Sequence, residues 1–174
     1  MNKEFTPVNI SAARRYSKTL EFVKKHLAIN EPILDLGIEN NMSHIMKSNG
    51  YSVINTHGQN LDIDYSAVND YSVITAFEIF EHMLAPFNLL NKAKGKLIAS
   101  VPLKLWFAPA YWNNNDPWDC HYHEFEVNQF NILLERTGWN IIDTQFVKGY
   151  DKLLGFRPML RRIYPRWYFV YAKK

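Results

Sequence analysis

The chain of 174 residues is 47% hydrophobic and 15% aromatic, which excludes global disorder and predicts one folded domain over residues 1–174. Its formal charge of +3 is too weak to indicate a nucleic-acid partner, and its apolar runs are far shorter than the roughly 20 residues of a membrane span. Helix and strand patterns alternate along the sequence. Tyr16, Leu20, Val23 and Leu27 recur at the spacing of one helix face.

The predicted elements follow one another in a regular order, with Gly and Pro at several boundaries. In chain order they are a helix over 11–28, strands over 33–37 and 51–55 with a helix over 42–48 between them, a strand over 71–77, a helical stretch over 78–90 that Pro86 interrupts, a strand over 97–102, a helix over 127–136, and strands over 139–146 and 167–172. This alternation predicts an α/β fold with a largely parallel sheet and helices on both of its faces.

The ends of the predicted strands define a candidate binding crevice, because ligands of such sheets bind at the carboxyl ends of the strands. Residues 35–37, 56–57, 77–78 and 101–102 are therefore expected around one crevice. The polar and aromatic loop over 103–121 is too long for a plain connection and is a candidate lid or substrate-facing loop. Folded over the sheet, its aromatic residues would instead extend the core.

Four motifs resemble, in their order and spacing, the class I S-adenosylmethionine-dependent methyltransferases of the small-molecule type. Residues 33–37 (ILDLG) are similar to the start of that family's nucleotide loop, in which an acidic residue and three alternating glycines follow the first strand. Similar segments follow at 78–86 (EIFEHMLAP), at 94–102 (KGKLIASVP), and at 121–125 (HYHEF) with 133–134 and 138–139. The resemblance covers the chain from about Ala13 to its end. It implies a Rossmann-like, mostly parallel sheet whose last strand is antiparallel.

The glycine loop is degenerate when it is compared with the family pattern. Only Gly37 is present, and Glu39 and Asn41 occupy the next two glycine positions. Glycine lets the backbone approach a ligand and adopt a positive φ without a Cβ clash, and Asn tolerates that conformation better than most residues. The Glu39 carboxylate either accepts a hydrogen bond from the cofactor's ammonium group or lies in solvent or in the pocket. The sequence leaves both alternatives open.

The ribose site also departs from the family pattern. Members of the family end the second strand in an acid that binds both ribose hydroxyls, and this position falls on His57. A neutral imidazole has only one acceptor and one donor, so affinity is expected to fall by ~1–3 kcal/mol. Asp62, followed by Ile63, matches the acid near the adenine amino group, and Asp64 is its rival. The residues predicted to bind the cofactor are Asp35, Gly37, Glu39, His57, Asp62, Ile63 and Phe77.

Histidine is the natural base for a hydroxyl acceptor near neutral pH. The candidates are His121, His123 and His82; we predict His123 as the base with His121 second, and Glu81 and Glu124 can orient an imidazole. The resemblance gives His82 a structural role. The segment 119–123 lacks the second ligand cluster of zinc fingers and ribbons, so no metal is expected, although a catalytic zinc needs only three protein ligands and this alternative stays open.

The sequence therefore predicts an S-adenosylmethionine-dependent methyltransferase that acts on a small molecule, with O-methylation of a hydroxylated or sugar-like acceptor as the reaction. The alternative is a non-catalytic binding or assembly module that keeps the fold and has lost the cofactor. Either the enzyme or the non-catalytic module could form a homo-oligomer. The lone Cys120 excludes an internal disulfide and is typical of a reducing compartment, so a cytoplasmic location is expected.

Overall fold

A computed structural model of the chain describes residues 10–149, 160 and 162–174. The helices are α1 (Ile10–His26), α2 (Asn41–Ser48), α3 (Pro86–Lys92) and α4 (Val127–Arg136), and the strands are β1 (Ile33–Asp35), β2 (Val53–Asn55), β3 (Val73–Phe77), β4 (Lys96–Pro102), β5 (Asn140–Lys148) and β6 (Pro165–Lys173). Two short 3₁₀ helices, Ser66–Asn69 and Phe80–His82, flank β3. None of the helices in the described part of the chain is long and apolar enough to cross a bilayer.

The six strands form one sheet in the order β2-β1-β3-β4-β6-β5. The first four strands pair in parallel, and β6 is antiparallel to both of its neighbours, β4 and β5. The predicted α/β class, with a mostly parallel sheet and an antiparallel last strand, is therefore confirmed. After β1 the chain first forms β2 on one side and later β3 on the other, so β1 and β3 meet at a topological switch point. Such a point opens a crevice at the carboxyl ends of the strands.

The sheet is covered on both faces by helices that bury apolar side chains. On one face, Phe22 and Val23 of α1 and Met42 and Met46 of α2 pack against inward-facing strand residues such as Ile33. On the other face, the core combines residues of α3 and α4 with residues of both 3₁₀ helices. Removing this apolar area from water is the main source of the fold's stability.

The segment 78–90 differs from the helical stretch that the sequence predicts. Glu78 has a positive φ of 57°, which a right-handed helix cannot contain, and Met83 is extended. Pro86 begins α3 rather than interrupting a helix, because its missing N–H and fixed φ suit the first helical position. The result is a 3₁₀ helix at the end of β3 that carries Glu81 and His82 into the candidate site.

Helix α4 provides a test of the core beneath that 3₁₀ helix. Phe130 is fully buried and its ring contacts those of Phe80, Phe125 and Tyr168. We expect Phe130→Ala to lower the free energy of unfolding by about 4 kcal/mol in urea titrations, because it leaves a cavity in the core. Ile132→Ala is the matched control on the same helix: its side chain is 55% exposed, and a change below about 0.5 kcal/mol is expected. Equal effects of the two substitutions would contradict this packing.

Candidate cofactor and substrate site

A cavity of about 620 Å³ opens at the switch point of the sheet. Its floor includes Gly37 after β1, Phe77 and Glu78 at the end of β3, and Ser100 of β4. These positions lie at or near the carboxyl ends of adjacent parallel strands, and residues 37, 77 and 78 are among those that the sequence predicts around the crevice. Residues 56–57 line a separate depression instead, and residues 101–102 are not in the cavity lining. The volume lies within the range of about 300–1,000 Å³ that is typical of small-molecule sites.

Three further segments form the walls of the cavity. Helix α1 contributes Arg15, Tyr16 and Thr19, and the stretch 58–62 after β2 forms the opposite side. The long loop contributes Asp116, Trp118 and Asp119, so this part of the loop borders the cavity as a lid would. The Trp118 side chain is 66% exposed there, and its ring offers an apolar surface at the edge of the site.

Gly37 forms the tight turn that opens the cavity beside β1. Its φ is +96°, and its N–H donates a hydrogen bond of 2.7 Å to the Thr56 hydroxyl. A Cβ at this position would lie 2.9 Å from the Ile79 side chain. The turn therefore favours glycine for its backbone conformation, whereas the contact is with the mobile end of the Ile79 side chain, which can shift.

Asp35 lies beneath the cavity floor and is 1% exposed. Its carboxylate accepts hydrogen bonds from the Thr75 hydroxyl at 2.7 Å, the Ser43 hydroxyl at 2.8 Å and the Asn55 amide at 3.0 Å. Burial raises the pKa of Asp35, and the three donors act against that shift. Asp35 thus connects β1 to β2, β3 and α2, and it does not line the cavity.

Asp62 does line the cavity, on the side formed by the stretch after β2. Its two carboxylate oxygens accept hydrogen bonds from the backbone N–H groups of Leu84 and Ala85, at 2.9 and 2.7 Å. Each oxygen retains a second lone pair for a ligand. Its rival Asp64 lies on the surface, where its carboxylate accepts hydrogen bonds from the hydroxyl and the N–H of Ser66.

Arg15 and Glu78 place opposite charges at the same cavity. The guanidinium of Arg15 lies 3.0 Å from Glu78 Oε2, and the Ser100 hydroxyl donates to Glu78 Oε1 at 2.8 Å. The Glu78 N–H also donates to the Ser100 carbonyl at 3.0 Å, which holds the residue in its left-handed conformation. Strain of this kind persists only where surrounding contacts impose it, and it is typical of functional sites.

Besides Asp35, three residues predicted to bind the cofactor lie outside the cavity lining. Glu39 is paired with Lys47 and also lies 3.9 Å from His44 Nε2, and with His57 it lines a separate surface depression. The His57 N–H donates to the side chain of Gln59, and Ile63 is 79% exposed. Their contacts with the cofactor stay predictions.

The structure separates the candidate histidine bases. His82 lines the cavity, and the ring of His121 lies 4.9 Å from it in an edge-to-face arrangement. Burial, and then the nearby His121, lower the pKa of His82. His123 instead lines a second cavity of about 490 Å³ between residues 84–87 and 122–125, and its buried Nε2 has no hydrogen-bond partner among the described residues.

Glu81 lies next to these histidines and is completely buried. Burial, and then the neighbouring Glu78 carboxylate, hold the pKa of Glu81 well above its usual range. Its backbone carbonyl accepts hydrogen bonds from the N–H groups of Tyr122 at 2.7 Å and His123 at 3.2 Å. These bonds attach the segment after the long loop to the 3₁₀ helix.

Sequence reasoning missed the contributions of Arg15 and of residues 58–61 to the cavity, although it predicted Asp62 at the end of that stretch. Gly58, with a φ of +81°, carries the only local signal of a tight turn after β2 within that stretch. Arg15 has no such signal, because its side chain reaches the cavity only through the packing of α1 on the sheet.

Comparison with known proteins places the fold among methyltransferase structures. No protein-family model matches the sequence, and no curated protein matches it significantly. The magnesium protoporphyrin IX methyltransferase from Synechocystis PCC 6803, solved with bound S-adenosylhomocysteine, is 13% identical; the match covers 97% of this chain and 90% of that one, with a TM-score of 0.61. An S-adenosylmethionine-dependent methyltransferase from Mesorhizobium loti is also 13% identical, with coverages of 88% and 96% and a TM-score of 0.56. The cyclase SpnF is 12% identical, with coverages of 94% and 82% and a TM-score of 0.58.

The chain therefore has the Rossmann-like fold of S-adenosylmethionine-dependent methyltransferases. Identities of 12–13% show the fold alone, and the fold hosts other chemistry as well, since one of these structures is a cyclase. The function must therefore be argued from the cavity and its residues.

Substitution of Asp35 tests the hydrogen bonds beneath the cavity. Asp35→Ala leaves the side chains of Thr75, Ser43 and Asn55 without their shared acceptor, so we expect the free energy of unfolding to fall by about 3 kcal/mol. Urea titration followed by circular dichroism measures the change. Asp70→Ala, at an exposed aspartate before β3, should cost less than about 0.5 kcal/mol. A loss for Asp35→Ala as small as that of the control would show that the network does not stabilise the fold.

Proposed function

We propose that the 620 Å³ cavity binds S-adenosylmethionine and that the protein transfers its methyl group to a small hydroxylated or sugar-like acceptor. The observation that carries the proposal is the position of the cavity at the switch point of a methyltransferase-type sheet, beside the Gly37 turn. This is where open α/β sheets bind nucleotide-like ligands.

The cavity fits a cofactor of this size although two loop glycines are replaced. Glu39 pairs with Lys47 on the surface and is absent from the cavity lining, so its carboxylate does not fill the space that the cofactor needs. Asn41 begins α2, and the preceding Asn40 caps that helix by accepting hydrogen bonds from the N–H groups of Met42 and Ser43. The loop thus keeps an open conformation by capping the helix instead of by additional glycines.

The polar groups of the cavity complement the two polar ends of the cofactor. Asp62 offers carboxylate oxygens to the adenine amino group, in agreement with its predicted role. Arg15 and Glu78 offer a cation and an anion, which complement the carboxylate and ammonium groups of the methionine moiety. Phe77 and Gly37 line the cavity between these groups.

When bound, S-adenosylmethionine supplies an electrophilic methyl group, so the protein needs to place the acceptor in line and to remove a proton from it. His82 and Trp118 line the same cavity, and His121 lies directly behind His82. This wall is therefore the proposed acceptor side. Neither predicted base lines this cavity: His121 packs against His82, which does, whereas His123 lines the second cavity, so the geometry favours His121 of the two.

A second candidate function is a binding module that keeps this fold without methyl transfer. The replacement of the ribose-binding acid by His57 favours it, since the imidazole cannot hold both hydroxyls and lies outside the cavity lining. Direct measurement of cofactor binding distinguishes the two functions.

Calorimetric titration with S-adenosylmethionine and S-adenosylhomocysteine tests the proposed site. We expect the wild-type chain to bind at least one of them, and Asp62→Ala to weaken binding about tenfold, which corresponds to about 1.4 kcal/mol. Asp64→Ala is the matched control two residues along the chain, and its affinity should equal that of the wild type because Asp64 lies outside the cavity. Thermal unfolding of each variant checks that its fold is intact.

Absence of binding by the wild type up to millimolar ligand would favour the non-catalytic module. If Asp62→Ala binds the cofactor as tightly as the wild type, the protein binds the cofactor but the proposed contact with Asp62 is wrong.

Substitution of the histidines tests the acceptor side. In a methyl-transfer assay with hydroxylated acceptors, we expect His121→Asn to lower kcat at least about 100-fold while the affinity for S-adenosylmethionine stays unchanged, because the acceptor's proton is no longer removed. If the base is His123, as the sequence predicts, His123→Asn should lower kcat by the same factor. If the base is His121, as the geometry favours, His123→Asn should leave kcat unchanged. Full turnover by His121→Asn would remove that residue as the base.

A further inference from the structure

Three side chains of metal-binding type converge beside the cavity. Glu81, His82 and His121 each offer one ligand atom, and these atoms all lie within 4.8 Å of one another. Glu81 and His82 are adjacent on the 3₁₀ helix after β3, and His121 comes from the end of the long loop, 39 positions further along the chain. The cluster therefore forms only in the folded protein.

The backbone fixes the two halves of the cluster against each other. The Glu81 carbonyl accepts hydrogen bonds from the N–H groups of Tyr122 and His123. The preceding residue, His121, donates its N–H to the Tyr111 carbonyl at 3.0 Å, which holds the loop in place. Because these bonds belong to the main chain, the approach of His121 to Glu81 does not depend on a ligand. The three side chains are therefore placed in advance of any binding.

The side chain of Glu81 is the observation that points to a ligand. It is 0% exposed, and neither of its carboxylate oxygens has a hydrogen-bond partner among the residues that the structure describes. Buried polar groups are almost always paired, because an unpaired one loses its hydration without compensation. A cation bound at this point would supply the partner that both oxygens lack.

The two imidazoles are oriented for a cation as well. His82 Nδ1 lies 3.0 Å from the Cys120 carbonyl, and His121 Nδ1 lies 3.2 Å from the Glu124 carboxylate. Both partners are acceptors, so each Nδ1 carries the proton and each Nε2 is left with its lone pair. A metal-bound histidine usually donates its other N–H to a carbonyl or carboxylate in this way.

We propose that Glu81, His82 and His121 bind a divalent first-row transition-metal ion, with Zn²⁺ as the representative, at the acceptor wall of the cavity. Two imidazoles and one carboxylate suit such an ion, whereas Mg²⁺ and Ca²⁺ prefer oxygen ligands alone. Glu81 Oε1 and His82 Nε2 are 3.9 Å apart, all three ligand atoms lie within 4.8 Å of one another, and tetrahedral Zn²⁺ ligands lie about 3.4 Å apart, so the side chains must close on the ion by no more than about 1.4 Å.

Three protein ligands leave a coordination position open, and His82 lines the cavity, so the cavity supplies the fourth ligand as water or as an oxygen of a bound molecule. The proposal does not depend on cofactor binding, and it competes with the role of His121 as a base: with the ion bound, His121 Nε2 is a ligand and cannot take the acceptor's proton. It departs from the expectation, drawn from the sequence, that this segment binds no metal. That expectation considered the residues 119–123 without Glu81, which lies far from them in the chain.

The test is a calorimetric titration of the chelator-treated, dialysed full chain with Zn²⁺, in parallel with Mg²⁺. We expect one Zn²⁺ per chain and no competition from Mg²⁺. Glu81→Gln, His82→Asn and His121→Asn should each weaken Zn²⁺ binding by about 100-fold or more, since each removes one of three ligands. His44→Asn is the control, because His44 lies on α2 next to Glu39, away from the cluster.

A second measurement uses the wild type alone, in case a variant does not fold. In ¹⁵N-labelled protein, Zn²⁺ should shift the side-chain resonances of His82 and His121 and leave those of His44 unchanged. Absence of Zn²⁺ binding by the wild type would overturn the proposal. So would wild-type affinity in all three folded variants, or shifts confined to other histidines.

Discussion

The buried carboxylate of Asp35 is the interaction on which the site depends most. The parallel ladders place Asn55 of β2 and Thr75 of β3 opposite Asp35, and its side chain connects these strand ends to each other and to α2. Asp35 does so by accepting hydrogen bonds from Thr75 on β3, Asn55 on β2 and Ser43 on α2. Because a buried acceptor without donors is costly, these partners are held together as a set. The Gly37 turn, and with it the cavity, begins two residues later.

Around that anchor, the charged groups are satisfied unevenly. Arg15 and Glu78 form a pair at the cavity, and Asp62 accepts hydrogen bonds from two backbone N–H groups. Neither carboxylate oxygen of the buried Glu81 has a hydrogen-bond partner among the described residues, and His82 Nε2 lies 3.9 Å from its Oε1. The cofactor end of the cavity is therefore electrostatically satisfied before any ligand binds, while the histidine end is not. This contrast separates the proposed cofactor and acceptor sides of one cavity.

Much of the fold could be predicted from the sequence, because apolar periodicity and the Gly and Pro boundaries locate most helices and strands. The crevice at residues 37, 77 and 78 was also predictable, since the topology of a parallel sheet places it. The helix expected over 78–85 was wrong, because its apolar spacing does not reveal the left-handed conformation of Glu78. The position of Arg15 and the meeting of His121 with Glu81 depend on tertiary packing over long chain separations, which local patterns do not contain.

The conformation of Glu78 has a consequence for how this protein can change. A residue with a side chain costs roughly 1–2 kcal/mol in the left-handed region, so glycine would relieve the backbone there. Glycine would also remove the carboxylate that pairs with Arg15 at the cavity. Selection for heat resistance alone would therefore favour a replacement that damages the pocket. In a laboratory evolution experiment that selects only for thermal stability, substitutions of residue 78 are therefore expected to weaken ligand binding.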